Sequence, residues 1–360
     1  MRATLHDIAK LASVSIATAS RVLNNTGHPI TEETRKRVLD AAKELNYRPN
    51  LHAKNLITGQ NRILEMFWDI WFDSQGDTGV GVSLQRVIPA ANQAAYEKGF
   101  QVIMDFSHLI SEGNPRVFPA VIPISGAIVF APRDNDTRVD RLAQFRIPFV
   151  IIGSSNYRQY NFVDTDHLTG AYIATHHLIE LGHTDIICLG GPANYGPSLD
   201  GVSGYRRCMR EHNLDNSDEK MIWRDNWTWE NGFHMMNSVL RDRGKIPTAV
   251  FACNDMLALG AISAIKMFGL RVPEDIAVVG AGNHPASQLS DPPLTTMCHL
   301  EDQSARKGVE CLIGLIEDPN REDLPFQDRF VPEMMIRQSC GYQLKHAGEV
   351  ALAAVGFNSH

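Results

Sequence analysis

The side chains best suited to specific recognition chemistry stand near the start of the chain, around Arg21. A helix over this stretch would present an outer face made of Ile16, Ala17, Ser20, Arg21 and Asn24. An arginine fork can pair with two acceptors of a guanine, and small neighbouring side chains let a helix sit deep in the major groove. The pattern therefore predicts a helix that reads double-stranded DNA.

A preceding helix has to position the helix that reads DNA, and the sequence predicts such a helix with its start at Thr4. Thr4 can cap the helix, with Asp7 in the capping-box position and at the positive end of the helix dipole. Ile8, Leu11 and Ala12 then fall at positions i, i+3 and i+4. This spacing predicts one buried apolar face.

The second helix begins after a break at residues 12–14, where Ser15 is a suitable N-cap. Ala19, Val22 and Leu23 would face inward and leave Arg21 outside. Two surface helices of an ordinary bundle have the same pattern, so the next segment has to decide between these interpretations.

A third helix follows, with Thr31 as its cap and acidic residues in its first turn. The stripe that would pack on the first two helices consists of Val38, Ala41, Ala42 and Leu45. Arg35, Lys36 and Arg37 lie outside the stripe, where a solvated face and phosphate contacts are equally good interpretations. Three helices of this kind complete a DNA-binding module.

The stretches DIAKLASVSIATASRVLN and ITEETRKRVLDAAKELNYRPN closely resemble the headpiece of the lactose-repressor/galactose-repressor (LacI/GalR) family of bacterial transcription regulators. The resemblance is nearly continuous from Thr4 to Gly59. It implies an all-α helix-turn-helix headpiece, a hinge helix, and a two-lobed α/β core like that of periplasmic sugar-binding proteins, which forms a homodimer. We expect DNA contacts from Thr4, Ser15, Ile16, Ala17, Ser20, Arg21, Asn24, Tyr47, Asn50, Ala53, Lys54 and Leu56.

The sequence predicts that the hinge forms a helix only when it is docked. Asn50 can cap a segment of about seven residues, which is too short to be a stable helix alone in water. In the family this segment forms on operator DNA and a leucine wedges into the minor groove, which bends the duplex. By resemblance Leu56 is that leucine, Ala53 lies beside it and Lys54 lies near phosphates.

Charge is distributed in a way that fits this organisation. The net charge of the chain is −7, but residues 1–60 hold nine Lys/Arg and five Asp/Glu, so that the first sixty residues carry +4 and the remainder −11. A basic head on an acidic body favours one orientation on DNA. We expect a DNA-binding domain at 1–49, a hinge and linker at 50–61, a core at 62–340 and a tail at 341–360.

From residue 62 onward the sequence alternates between short apolar strands and helices. We predict strands at 63–68, 100–106, 126–130, 149–153, 186–189, 249–252 and 276–279. We predict helices at 82–98, interrupted at Pro89, and at 170–181, 202–212, 228–243, 256–268 and 304–317. Two successive sets of this kind predict two doubly wound lobes with parallel sheets, and ligands of such folds bind at the carboxyl ends of the strands.

The resemblance also implies residues for a small-molecule effector, a sugar or a derivative, in the cleft between the lobes. Asn254 and Asp255 stand where the family has its cleft-lining asparagine, and Trp227 where some members stack an aromatic ring on a sugar. The other expected effector contacts are Asp166, Asn283 and His299.

Two departures from the family pattern put a neutral hexose in doubt. Gly201 replaces an arginine that holds effector hydroxyls, and Ala281-Gly282-Asn283 replaces an aromatic residue and two aspartates. An anionic or differently shaped sugar derivative that uses Asn283, His284 and His299 is one alternative. A repressor that needs no effector, or one controlled by a partner protein, is another.

Other classes of protein find less support in the sequence. No dinucleotide fingerprint, phosphate loop, nucleophile elbow or zinc-protease motif is present, so we expect neither an enzyme nor a cofactor. The six cysteines include no CxxC pair, which argues against a metal site and suits a reducing cytoplasm. No run approaches the roughly 18 apolar residues of a membrane helix, and we expect no signal peptide, unlike a transport protein.

Overall fold

The computed structural model describes residues 3–24, 30–47, 61–68, 80–105, 124–132, 136–153, 157–193, 195–242, 246–318 and 325–345. Contacts between residues divide the chain into two compact units, Met1–Asn61 and Arg62–His360. The expected hinge residues Asn50, Ala53, Lys54 and Leu56 lie outside the described residues.

The first unit contains three helices, α1 (Leu5–Leu11), α2 (Ile16–Asn24) and α3 (Glu32–Glu44). Its buried core consists of Ile8, Ala9, Ala12, Ala19, Val22, Val38 and Ala41. The prediction for Leu11 is wrong, because that side chain is 46% exposed. Ala9 is buried instead, so that Ile8, Ala9 and Ala12 form the buried face of α1.

The second unit begins with a six-stranded sheet in the order β11-β5-β4-β3-β1-β2, whose pairs are all parallel. We call this sheet and its helices lobe 1. Its strands are β1 (Ile63–Trp68), β2 (Gln101–Asp105), β3 (Gly126–Phe130), β4 (Phe149–Ile152), β5 (Phe162–Thr165) and β11 (Gln327–Phe330). Its helices are α4 (Val80–Glu97), α5 (Thr137–Gln144) and α11 (Glu301–Glu317).

The other sheet has the order β12-β10-β9-β8-β6-β7 and forms lobe 2. Its strands are β6 (Ile186–Gly190), β7 (Met221–Trp223), β8 (Ala249–Ala252), β9 (Ala277–Ala281), β10 (Thr295–Cys298) and β12 (Glu333–Met335), the last antiparallel to β10. Its helices are α6 (His167–Glu180), α7 (Gly196–Glu211), α8 (Trp229–Asp242), α9 (Asp255–Met267) and the short α10 (Ala286–Leu289). A last short helix, α12, spans Tyr342–Lys345.

Alternate residues of each strand enter different cores, because successive side chains point to opposite faces of a sheet. In lobe 1, Ile128 packs with α4 and α11, whereas its neighbour Val129 packs with α5. In lobe 2, Val250 packs with α8 and α9, and Phe251 packs with α6 and α7. The predicted fold class, a helical headpiece followed by two doubly wound α/β lobes, is confirmed.

The chain passes between the lobes at three places within the described residues. It leaves lobe 1 after β5, returns after β10 to form α11 and β11, and crosses again between β11 and β12. The crossovers bring residues 164–167 and 299–301 together at the base of the cleft, where Thr165 Oγ1 donates to the backbone oxygen of His299 at 2.7 Å.

Several predicted boundaries differ from the observed ones. Helix α4 runs through Pro89 without interruption, since Leu84, Val87 and Ala91 on either side are buried in the lobe 1 core while Pro89 is exposed. Helix α7 begins at Gly196, six residues before the predicted start at Val202. Among the described residues, no helix is both long enough and apolar enough to cross a membrane.

Candidate functional sites

The predicted caps of the headpiece helices are present. The Thr4 N–H donates to Asp7 Oδ2 at 2.8 Å, and the Asp7 N–H donates to Thr4 Oγ1 at 3.3 Å. The hydrogen bonds from the Thr4 side chain and backbone lower the pKa of the Asp7 carboxyl group. Ser15 Oγ accepts a hydrogen bond from the Thr18 N–H at 3.0 Å and so starts α2. Each cap satisfies a backbone N–H group in the first turn of its helix.

Helix α2 presents its predicted outer face to solvent. Ile16 is 48% exposed, Ala17 and Arg21 are exposed, and Ser20 is half-buried. Tyr47, another expected DNA contact, is half-buried against the headpiece core. The side chain of Asn24 lies outside the described residues. The structure therefore places four expected contacts on one accessible face, and their roles on DNA stay predictions.

A cavity of about 110 Å³ lies between the lobes, at the carboxyl ends of strands from both sheets. Lobe 1 contributes Phe130, Gly153, Asp164 and Thr165, which lie at or just after the ends of β3, β4 and β5. Lobe 2 contributes Tyr195, Trp227, Cys253, Asn254, Asp255, Ala281, Gly282 and His284. His167, His299 and Glu301 line the cavity from the crossovers.

Aromatic side chains form one wall of this cavity. Trp227 is 6% exposed and meets Tyr195 edge-to-face, with 5.1 Å between ring centroids. The indole lies directly on Gly191, since a Cβ at that position would come within 1.6 Å of Trp227 Nε1. Glycine at 191 is therefore what lets this ring pack, and a planar wall of this kind suits a ring-shaped ligand.

Two histidines meet at the base of the cleft. The rings of His167 and His299 are in edge contact with 4.8 Å between centroids. Burial lowers the pKa of each ring to about 4, although Glu301 nearby favours the charged form of both. The charge of Asp166 raises the pKa of His167 and that of Arg329 lowers it. Asp255 and Arg86 have the corresponding effects on the pKa of His299. Both imidazoles are therefore neutral at pH 7 and serve as hydrogen-bonding groups.

Asp255 occupies the predicted position, and its carboxylate is engaged within lobe 2. Oδ2 accepts from the His284 N–H at 2.7 Å and from Ser287 Oγ at 2.6 Å, while Oδ1 accepts from Thr296 Oγ1 at 2.5 Å. Burial raises the pKa of Asp255, and these hydrogen bonds oppose that rise. Asp255 thus ties the loop after β9 to β10 and positions the residues around it.

The remaining expected effector contacts divide between the cavity and its surroundings. Asn254 lines the cavity and caps α9, since its Oδ1 accepts from the Met256 N–H at 2.7 Å. Asp166 caps α6 through the Thr169 N–H at 2.9 Å and does not line this cavity. Asn283 is turned away from it as well, because its Oδ1 accepts from Arg337 Nη2 at 2.7 Å.

Sequence reasoning missed several residues that line the cavity. They are Ser83, Phe130, Asp164, His167, Tyr195, Cys253 and Glu301. Most of them follow a strand or begin a helix, so a search of all strand ends for polar and aromatic residues would have found Asp164 and Cys253. Ser83 has no such signal, because it lies inside α4 and reaches the cavity only where the two lobes come together.

Comparison with known proteins assigns both units. The family model described as "Bacterial regulatory proteins, lacI family" matches residues 4–50, and the model "Periplasmic binding protein-like domain" matches residues 175–340. The HTH-type transcriptional repressor PurR of Histophilus somni is 30% identical to this chain, over 94% of it and 98% of that protein. The PurR of Aliivibrio fischeri is 32% identical, over 95% and 100%.

Solved structures agree with this assignment. A lac repressor dimer bound to operator and the anti-inducer ONPF superposes with a TM-score of 0.78 at 26% identity, covering 94% of this chain and 99% of that one. A complex of the transcriptional regulator CelR with cellobiose gives 0.70 at 26% identity, covering 94% and 100%. A relative at this identity is matched over nearly its whole length, and the three-helix headpiece and the two-lobed cleft are in place. The chain therefore belongs to the lacI family of bacterial regulatory proteins and is a DNA-binding transcriptional regulator.

Proposed function

We propose that the protein is a homodimeric repressor that binds a pseudo-palindromic operator through α2 and the hinge, and that a small molecule in the cleft changes its operator affinity. The headpiece at 1–49, the hinge at 50–61 and the core at 62–340 would then read DNA, clamp it and sense the ligand. The curated relatives cited above are named repressors, which supports a role in regulation without catalysis. Operator DNA lies in the bacterial cytoplasm, and we place the protein there.

The exposed face of α2 carries the DNA-binding part of this proposal. Arg21 is exposed beside the small Ala17, and Ala19 and Val22 behind them are buried. The geometry suits insertion into a major groove, where the guanidinium can reach a guanine. The net charge of +4 on residues 1–60 adds sequence-independent attraction to phosphates.

Dimerisation follows from the same physical reasoning. A hinge of about seven residues lacks the length to hold a helix alone, so a second hinge and DNA have to stabilise it. The lac repressor structure that this chain resembles is a dimer on operator. We propose the same arrangement, with Leu56 of each subunit wedged at the operator centre, Ala53 beside it and Lys54 at the phosphates.

The cleft favours a neutral effector with a ring. His167 and His299 are uncharged near pH 7, and none of the described residues that line the cavity is a lysine or an arginine. Asp164 and Glu301 add negative potential instead. An anionic sugar derivative, one of the alternatives considered from the sequence, finds no cation in this lining, whereas the wall of Trp227 and Tyr195 suits an uncharged ring.

An effector-independent repressor stays the second candidate, on one specific observation. Gly201 stands where the family has an arginine, and a Cβ there would already come within 2.9 Å of Cys253 Sγ. A longer side chain at 201 would therefore require Cys253 to shift. The cleft lacks this anchor for effector hydroxyls, so Trp227, Asn254 and His299 would have to hold a ligand in other ways.

A thermal-shift screen on the full-length protein tests the effector proposal. Neutral mono- and disaccharides and nucleosides are compared with sugar acids, and we expect at least one neutral compound to raise the melting temperature by linkage. The best compound is then tested on Trp227→Ala, with Trp229→Ala as the matched control. Trp229 lies two residues away, is 38% exposed and stacks on Phe233 outside the cavity.

Loss of the shift in Trp227→Ala alone would support the cleft as the effector site. A shift that only sugar acids produce would contradict the neutral class. If no compound shifts the wild type while a selected operator is still bound tightly, the result would contradict the proposed effector classes and support the effector-independent alternative.

A further inference from the structure

Arg86 joins the two lobes through main-chain atoms. It lies on α4 of lobe 1, and its Nη1 donates to the backbone oxygen of Gly282 in lobe 2 at 2.9 Å. Its Nη2 donates to the backbone oxygen of Asn283. One guanidinium thus donates to two successive carbonyl groups of the loop that follows β9. Lysine cannot reproduce this arrangement, because it lacks the planar pair of donor groups.

The guanidinium is itself held from behind. Glu301 Oε2 accepts from Arg86 Nη1 at 3.0 Å, and Glu301 Oε1 accepts from Ser83 Oγ at 3.0 Å. The side chains of Arg86 and Glu301 are only 25% and 11% exposed. Burial would raise the pKa of Glu301, but its pKa is lowered overall, and the charge and hydrogen bond of Arg86 contribute to that lowering, so the pair stays ionic. Glu301 begins α11 directly after the second crossover, which fixes Arg86 at the base of the cleft.

The loop in lobe 2 is braced to offer those carbonyl groups. Asn283 has a φ of +49°, its side chain accepts from Arg337, and its N–H donates to Thr296 Oγ1 at 3.2 Å. Asp255 holds the next N–H, that of His284. This is also the segment that departs from the family, with Ala281-Gly282-Asn283 in place of an aromatic residue and two aspartates. The loop therefore meets lobe 1 through backbone oxygens rather than through acidic side chains.

We propose that Arg86 is an interlobe clamp that stabilises the arrangement in which the lobes meet across the cleft, which we call the closed state, and so sets how strongly an effector can shift the lobes. If the protein already favours the closed state, an effector that binds this state shifts the equilibrium less. A ligand acts only through its differential affinity for the two states. The link from closure to operator affinity rests on the proposed function, whereas closure itself is measured without DNA or ligand.

Cys253 is the reporter for closure, because this residue lines the cavity. The full-length protein is treated with N-ethylmaleimide, and alkylation of each cysteine is followed by peptide mass spectrometry. In Arg86→Met we expect alkylation of Cys253 to accelerate by about fivefold or more as the cleft opens. Cys311 on α11, away from the cavity, is the internal control and keeps its rate. Small-angle scattering should show a larger radius of gyration.

Arg138→Met is the matched control variant, since the ion pair that Arg138 forms with Asp136 is part-buried and lies inside lobe 1. Equal Cys253 rates in wild type and Arg86→Met, or equal acceleration in Arg138→Met, would overturn the clamp. If Arg86→Met does not fold, Arg86→Lys and Ser83→Ala are read in the same way, and no acceleration in either would overturn it.

Operator affinity separates the two proposals. We expect the ligand-free dissociation constant to change by about threefold or more in Arg86→Met and to stay constant in Arg138→Met. Faster alkylation with unchanged operator affinity would support the clamp and contradict the coupling of cleft to headpiece. Failure of all variants and wild type to bind any DNA would contradict the proposed function and leave the alkylation result to decide the clamp.

Discussion

Burial determines the protonation state of the two histidines at the base of the cleft. His167 and His299 touch each other and Glu301 lies within 4.0 Å of His299 Nδ1, yet burial keeps both rings neutral. Their ring nitrogens can therefore donate to one group and accept from another, which suits hydroxyls better than charges. The same burial makes the fold sensitive to acid.

We predict that stability falls as the pH drops from 7 to 5. Each histidine has a folded pKa of about 4 and an ordinary pKa of 6.5, so the unfolded chain binds protons first and gains from them over this range. The cost is roughly 2 kcal/mol per histidine between pH 7 and 5. Urea unfolding of the wild type and of His167→Asn/His299→Asn at both pH values measures it. An equal loss in both proteins would rule out the pair as the cause.

We predict that Arg21→Ala weakens operator binding by about 1–3 kcal/mol and relaxes the preference at one base pair of each half-site. Lys54→Ala is the comparison, because a phosphate contact should weaken all sequences alike and flatten the salt dependence. Fluorescence anisotropy on a set of single-base operator variants measures both. An unchanged ranking of those variants with Arg21→Ala would remove its role in base reading.

The side chains that the sequence predicted well are those whose partners lie within one turn. Thr4, Asp7 and Ser15 cap their helices as expected, because a cap depends only on the next three residues. Asp166 and Asn283 were predicted to face the ligand, and the structure gives one to a helix cap and the other to Arg337. Such competition between partners is decided by tertiary contacts that no local spacing contains.

At the scale of helices and strands, close helix packing in lobe 2 depends on glycine. Helices α8 and α9 cross where a Cβ on Gly260 would come within 2.1 Å of the Trp229 backbone oxygen, and one on Gly232 within 2.2 Å of the Leu257 backbone oxygen. Backbone cannot move aside as a side chain can. The two helices therefore touch through their main chains.

We predict that Gly260→Ala destabilises the protein by about 1–3 kcal/mol. The cost of overpacking against backbone exceeds the roughly 1 kcal/mol by which alanine is more favourable than glycine in a helix. Met267→Ala on the same helix is the control, since that side chain is 58% exposed. Thermal unfolding of both variants compares them. A Gly260→Ala protein as stable as the wild type would show that α8 and α9 can separate without cost.

Most regular elements could be predicted from periodicity, but their ends could not. The predicted break at Pro89 failed because burial on both sides of α4 outweighs one lost backbone hydrogen bond. The strands β5, β7, β10, β11 and β12 and the helix α5 were not predicted, since all of them are short. The places of these strands in the two sheets are evident only from the strand order that the structure shows.

At the scale of the whole molecule, the proposed dimer makes a prediction about stoichiometry. Two copies should bind one operator, because each short hinge needs its partner and the operator centre for stability. Analytical ultracentrifugation of the full-length protein with a labelled operator measures the mass of the complex. A single chain on a full operator at working concentration would contradict the homodimer.

The three crossovers have a consequence for how the protein is made. The apolar face of β3 and β4 in lobe 1 is covered by Val309 and Leu312 of α11, which follow β6 to β10 in the chain. As the chain leaves the ribosome, lobe 1 has to wait for α11 while all strands of lobe 2 except β12 have already emerged. Although domains generally fold in N-terminal order during synthesis, here the later lobe can close first. Until then the part of this face that α11 covers stays exposed on the nascent chain, where a chaperone could bind it.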